Sequence, residues 1–141
     1  MNLVDELLNV DVEEAKTSFE PKKGVFMSKR MQEILKKDEP VDIEIHALKQ
    51  RRVNDIMAYQ MKNDGNIDFA KSFDAKLMLI VEGCSGIDFT SEELKKKFGC
   101  SSANKLAEKL LAEEITAMSD QIAALSGVGG EDEEKEEEVK N

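Results

Sequence analysis

The sequence predicts a mainly α protein of about five helices, with a small two-stranded β element near its N-terminus and acidic flexible arms at both ends. Three observations predict it. Apolar residues recur with helical spacing in every periodic stretch after Leu48, whereas only one segment, "PVDIEIHAL" (40–48), alternates with a period of two. Charge is segregated as well. Residues 1–20 hold six acidic groups and one lysine, and residues 131–141 hold seven acidic groups and two lysines. Of 30 acidic and 20 basic groups in all, this leaves 17 of each sign between them, so the net charge of −10 resides in the two ends. The chain of 141 residues therefore divides into an acidic N-terminal arm (1–20), a neutral helical domain (21–128) and a disordered acidic tail (129–141).

The elements follow in order. "NLVDELLNVDVEEA" carries a short stripe of Leu3, Val4, Leu7 and Leu8, an arm that becomes helical against a surface. Pro21 and Gly24 separate it from "GVFM" (24–27), a short strand. Val41, Ile43, Ile45 and Ala47 alternate with Asp42, Glu44 and His46, as a strand with one buried face requires, and Pro40 is tolerated at its start. The two strands pair as a hairpin across "SKRMQEILKKDE", where Met31, Ile34 and Leu35 predict a helical turn. "LKQRRVNDIMAYQMKN" puts Val53, Ile56, Met57 and Met61 on one side, and "NDGN" (63–66) ends it. In the 68–84 helix Phe69, Phe73, Leu77, Ile80 and Cys84 face inward, which makes it the centre of the core. Six of the seven aromatics lie between residues 26 and 98, so the densest packing is expected there.

"DFTSEELKKKFGC" opens with a capping-box pattern, Thr90-x-x-Glu93, and stops at Gly99. "SSANKLAEKLL" restarts with Ser101 or Ser102 as cap and turns Leu106 and Leu110 inward. The last helix carries Leu111, Ile115, Met118, Ile122 and Leu125 as a narrow seam. That spacing suits either packing onto the 68–84 helix or association with another chain. In favour of a partner-binding face, the seam is narrow, contains Met118 and lacks aromatics.

Candidate chemistry is sparse. Asp64, Asn66 and Asp68 match the first positions of a calcium loop, but Phe69 stands where Gly is needed and Ala75 where a bidentate Glu is needed. An interhelical turn with Asp68 as cap explains the same residues. His46, the only histidine, has no partner at ligand spacing. Cys84 lies on an apolar helix face, and Cys100 follows a glycine without a basic neighbour. "GVGG" (127–130) has neither strand nor Lys-Ser/Thr beside it. "KQRR" (49–52) and "KKK" (95–97) lack interleaved aromatics and sit in a neutral body between acidic arms, which speaks against nucleic acid. The longest strongly apolar run, "LMLIV" (77–81), is far short of a membrane span. Nor does the acidic start resemble a secretory leader, so reduced thiols in a cytoplasm are expected. No cofactor and no metal are expected.

The order of "SKRM", "PVDIEIHALKQRRVNDIM" and the stretch from Val81 to Gly127, "VEGCSGIDFTSEELKKKFGCSSANKLAEKLLAEEITAMSDQIAALSG", resembles the tail assembly chaperones of long-tailed phages. It is most similar to members from phages and defective prophages of Gram-positive bacteria. The resemblance spans roughly residues 24–127 and contains no catalytic motif. It implies a non-enzymatic protein of the host bacterial cytoplasm that binds the tape measure protein and keeps it soluble while tail tube subunits polymerise. Such a protein is absent from the finished virion. Self-association and contact with tail tube subunits are compatible with the same role. A structural or tail-completion protein retained in the particle is the alternative. One departure is Ala112-Glu113, where the family pattern leads one to expect Gly before Glu, so the sequence leaves open whether the last two helices run on as one.

Overall fold

The computed structural model describes residues 2–128. A helix α1 (Leu3–Leu8) and a 3-10 turn (Lys16–Phe19) precede the body. The body then runs β1 (Lys23–Ser28), α2 (Lys29–Leu35), β2 (Val41–His46), α3 (Gln50–Tyr59), α4 (Phe69–Gly83), α5 (Glu92–Lys97), α6 (Ala103–Leu111) and α7 (Ile115–Leu125). The body thus holds six α-helices, five after Leu48 and α2 where a helical turn is expected. Helix α1 supplies its own N-cap, Asn2 Oδ1 accepting from the Asp5 amide at 2.9 Å, and no residue of it is buried. The expected acidic tail lies outside the described residues.

The two strands pair antiparallel from Lys23 opposite His46 to Ser28 opposite Val41. Phe26, Ser28, Ile43 and Ile45 point into the core, while Val25 and Met27 lie on the exposed face. At the end of β1 the chain turns directly into α2. Ser28 is fully buried and caps that helix, its Oγ accepting from the Met31 amide at 2.9 Å. The same hydroxyl donates to Glu114 Oε1 at 2.5 Å, and the Lys29 amide donates to Glu114 Oε2 at 2.9 Å. A carboxylate from the far end of the chain thereby satisfies the open N-terminus of α2, where negative charge is favoured.

Helix α4 occupies the centre, packed against α3, α6 and α7. Leu77, Ile80 and Cys84 are buried as their spacing predicts. Gly83 lets α7 approach closely, since a Cβ there would lie 2.5 Å from Ile122 Cγ2. The core does not end at Phe98, as the distribution of aromatics suggests. It continues through Leu106, Ala107, Leu110 and Leu111 of α6 and Ile115, Met118 and Ile122 of α7. Aliphatic helix faces supply what the missing aromatics do not.

One local expectation shifts. The N-cap of α5 is Ser91, whose Oγ accepts from the Leu94 amide at 3.2 Å. Thr90 instead donates to Asp88, through its hydroxyl at 2.5 Å and its amide at 3.0 Å. Ser102 caps α6, accepting from the Lys105 amide at 3.2 Å. The last two helices do not run on as one. Helix α6 ends at Leu111, a 3-10 turn spans Ala112–Glu114, and α7 begins at Ile115. Ala112 makes the break with φ 47° and ψ −115°, a conformation that glycine adopts freely and an L-residue does not.

Candidate interaction surface

The seam residues come first. Leu111, Ile115, Met118 and Ile122 are at most 4% exposed, packed into the main core. In the chain alone their burial favours the intramolecular reading, because a partner reaches them only if α7 lifts from α4. Leu125 differs. It is half-buried, sits over Gly24 with its Cδ1 3.0 Å from where a Cβ would be, and lines a shallow hollow of about 330 Å³ with Lys22, Val25, Gln121 and Ala124.

Gln121 and Ala124 also line a larger groove of about 490 Å³ on the other flank of α7, between α3 and α4. Its make-up follows from residue size. Ala75 of α4 faces Ala123 and Ser119 of α7, and such short side chains leave a trough between the helix backbones. Ile56, Ala75 and Leu79 form a small second core cluster, against which Ala123 packs. Met57, Leu79 and Val128 supply apolar walls, with Gln60, Lys76 and Asp120 among the polar lining. The two hollows adjoin at Gln121 and Ala124 of α7 and together reach from the first strand to α3.

Beyond the groove the α3–α4 connection is unusually apolar at its surface. Met57, Tyr59, Met61, Ile67 and Phe73 are all about two-fifths exposed or more, and Phe69 is 88% exposed. Spacing alone places Phe69, Phe73, Met57 and Met61 inward, and that expectation fails. Only Val53 and Ile56 of α3 are buried, and α4 buries its side chains from Ala75 onward. Helical periodicity detects an apolar stripe, but not whether another element of the chain covers it. Met61 and Ile67 bridge across the turn, in which Asp64 accepts from the Asn66 amide at 3.0 Å and Asp68 caps α4 through the Ala70 amide at 3.1 Å. The carboxylates of "DGNID" therefore have turn-forming roles. Lys71 lies over the Tyr59 ring, 5.5 Å from its centroid.

The opposite end of the α3–α4 pair, away from the connection, is fastened firmly. Arg52 on α3 grips Glu82 on α4 with two hydrogen bonds of 2.7 Å. Ser126 Oγ donates to the Ile122 carbonyl at 2.7 Å and accepts from the Leu48 amide at 2.9 Å. Gln50 Nε2 donates to the Ser126 carbonyl at 2.6 Å. These contacts tie the start of α3 to the ends of α4 and α7.

A hollow of about 590 Å³ at the Lys37–Asp42 turn is larger, but its lining is charged and comes from one loop. The residues weighed for chemistry lie apart from the groove. Burial pushes the Cys84 thiol up, which disfavours the thiolate form. Cys100 is half-buried, and its thiol lies 3.6 Å from the Phe98 carbonyl. His46 borders a hollow with Lys23, Glu44 and Ser85. Among the described residues no cluster of His, Cys, Asp and Glu is arranged to hold a metal ion, and no helix is long and apolar enough to cross a membrane. Of the two basic clusters, Arg52 is paired with Glu82 and Lys95 with Glu92.

Comparison with known proteins bears on the fold and the family. The crystal structure of the protein YqbN superposes with a TM-score of 0.55 at 11% sequence identity, covering 84% of this chain and 96% of that one, which is a likeness of fold alone. No curated protein matches. A family model described as phage XkdN-like tail assembly chaperone protein matches residues 4–140.

Proposed function

The chain belongs to the XkdN-like tail assembly chaperone family of phages, and from that premise we propose that it binds the tape measure protein in the host bacterial cytoplasm and keeps it soluble until tail tube subunits enclose it. The single observation that carries the reading is the apolar surface over α7, joined to the exposed methionines and aromatics of the α3–α4 connection. A groove floored by small side chains and walled by methionine and leucine suits the apolar face of an amphipathic helix. Methionine adapts its shape to successive, non-identical client segments. Contiguous exposed apolar surface of this kind marks an interaction site.

Of the sequence-predicted seam, Leu125 contacts the client directly in this proposal. Leu111, Ile115, Met118 and Ile122 hold the helix that presents it. The role is one of binding and release, without catalysis or cofactor, and the protein leaves before the virion is complete. Contact with tail tube subunits at handover belongs to the same proposal.

Co-expression with the long helical tail protein tests it. The client should be soluble with this chain and insoluble without it, and equal insolubility in both cases would refute the proposal. Mass spectrometry of purified tails separates this reading from a retained structural or tail-completion protein, which would persist in the particle.

A further inference from the structure

We infer that the groove between α3, α4 and α7 also receives helix α1 from a second copy of this chain, so that two copies exchange arms and cover each other's grooves when no client is bound. The inference rests on reading the groove as a receptor for an amphipathic helix, whichever protein the client is.

The chain carries both halves of such a contact and joins neither by itself. Helix α1 presents Leu3, Val4, Leu7 and Leu8, each 61–78% exposed, with Asp5 and Glu6 beside them. Residues 2–14 are all exposed, so the arm does not cover its own body. The groove is open and apolar, and its small residues allow a helix backbone to come close.

Dimensions and charge agree. Helix α1 has six residues and is about 9 Å long, and the groove follows α7 from Ser119 to Ala124, also a run of about 9 Å. The arm of residues 1–20 carries six acidic groups against one lysine. Lys76 lines the groove and donates to Thr116 Oγ1 at 3.2 Å rather than to a carboxylate. Lys22 stands at the far side of α7, and Lys62 on the α3–α4 connection and Lys71 in the first turn of α4 are exposed. Of the acidic groups nearby, Asp120 lines the groove, while Asp64 and Asp68 are engaged by backbone amides.

The tether permits exchange. Residues 9–22 lead from α1 to β1, and this linker spans up to roughly 46–50 Å when extended. Once one arm docks, the reciprocal arm is held at an effective concentration in the millimolar range. Reciprocal docking closes the pair with two-fold symmetry and leaves no open site for further growth. An acidic arm that fills the apolar groove would protect it from unrelated segments and yield to a client with a longer apolar face.

Sedimentation equilibrium of the full-length chain tests the inference. The wild type should dimerise, and two variants should each dissociate about 10- to 100-fold more readily, a loss of one to two decades in affinity. The arm variant carries Leu3→Glu and Leu7→Glu, and the groove variant Met57→Glu and Ala124→Glu. All four positions are exposed, so thermal melts should match the wild type. Mixing the two variants should partly restore association, because one intact arm still meets one intact groove. A monomeric wild type, a dimer indifferent to the arm variant, or a mixture that stays dissociated would overturn the inference. So would a monomer whose α1 amides are protected from hydrogen exchange, since the arm would then fold onto its own body. The arm variant should still solubilise the client. If no variant and no wild-type chain does so while the dimer behaves as described, the proposed client is wrong and the exchange stands.

Discussion

Replacing Ala112 by glycine should stabilise the protein, against the usual direction for a glycine substitution. The residue joins α6 to α7 with φ 47° and ψ −115°. An L-residue held in so sparsely populated a region costs about 1–3 kcal/mol. Glycine relieves that strain but has more freedom to lose on folding, an opposing cost of about 0.5–1 kcal/mol. Ala112 is only half-buried, so its methyl group contributes less than the roughly 0.8 kcal/mol of a fully buried one. The balance is a gain of about 1 kcal/mol, or about 4 °C in Tm for a domain of this size. A thermal melt and a urea titration on the same variant would measure it, with an unchanged m-value. Lys36 provides the internal comparison. It also has positive φ, 54° with ψ 48°, but that is the ordinary left-handed position at the end of a helix. Lys36→Gly should therefore gain less than Ala112→Gly. A melt that is unchanged or lowered by Ala112→Gly, or a larger gain at Lys36, would refute the assignment of strain to this junction.

The remaining predictions concern the core, the long-range cap and a surface carboxylate. Met118→Ala should cost about 2–5 kcal/mol by opening a cavity in a fully buried position, while Leu125→Ala should cost clearly less because that side chain is half-buried. Equal melting losses for the two would contradict the division of the seam into core and surface. Ser28→Ala removes the α2 cap and one of the two donors to Glu114, and should cost about 1–3 kcal/mol in denaturant titration. Hydrogen bonds from Thr90 hold the Asp88 carboxyl below the usual aspartate range. Its favourable contribution is thus fully present above the unfolded value of about 3.9 and fades as pH falls through the lower native one. An NMR titration should show the depressed midpoint, and Thr90→Val should move it back up.

Much of the body was legible because its signals are local. The alternation of Val41, Ile43 and Ile45 gave the strand, and Asp68, Ser102 and Gly99 marked helix ends by side-chain and backbone chemistry that depends on a few neighbouring residues. What failed depends on distance. The capping of α2 by Glu114 joins residues 85 and 86 positions apart, which no spacing rule anticipates. The cap of α5 falls on Ser91 because Thr90 is engaged by Asp88. Phe69 and Phe73 share a stripe with Leu77 and Ile80, but the covering helices leave that end of α4 uncovered. Spacing leaves Met118 and Ile122 open between core and interface, and in the chain alone they are buried because Gly83 lets α4 come within reach. The groove was invisible for the same reason, since Ala75 and Ala123 are 48 positions apart and gain meaning only when their helices face each other.

We propose that client binding resides on the exposed apolar surface of α7, α3 and α4. The most direct test is the fraction of co-expressed tape measure protein kept soluble by the wild type and by the Met57→Glu, Ala124→Glu variant. We predict that the wild type holds the client in solution and that the variant does not, although both melt at the same temperature. Full solubilisation by the folded variant would contradict the claim and move the client site elsewhere on the molecule.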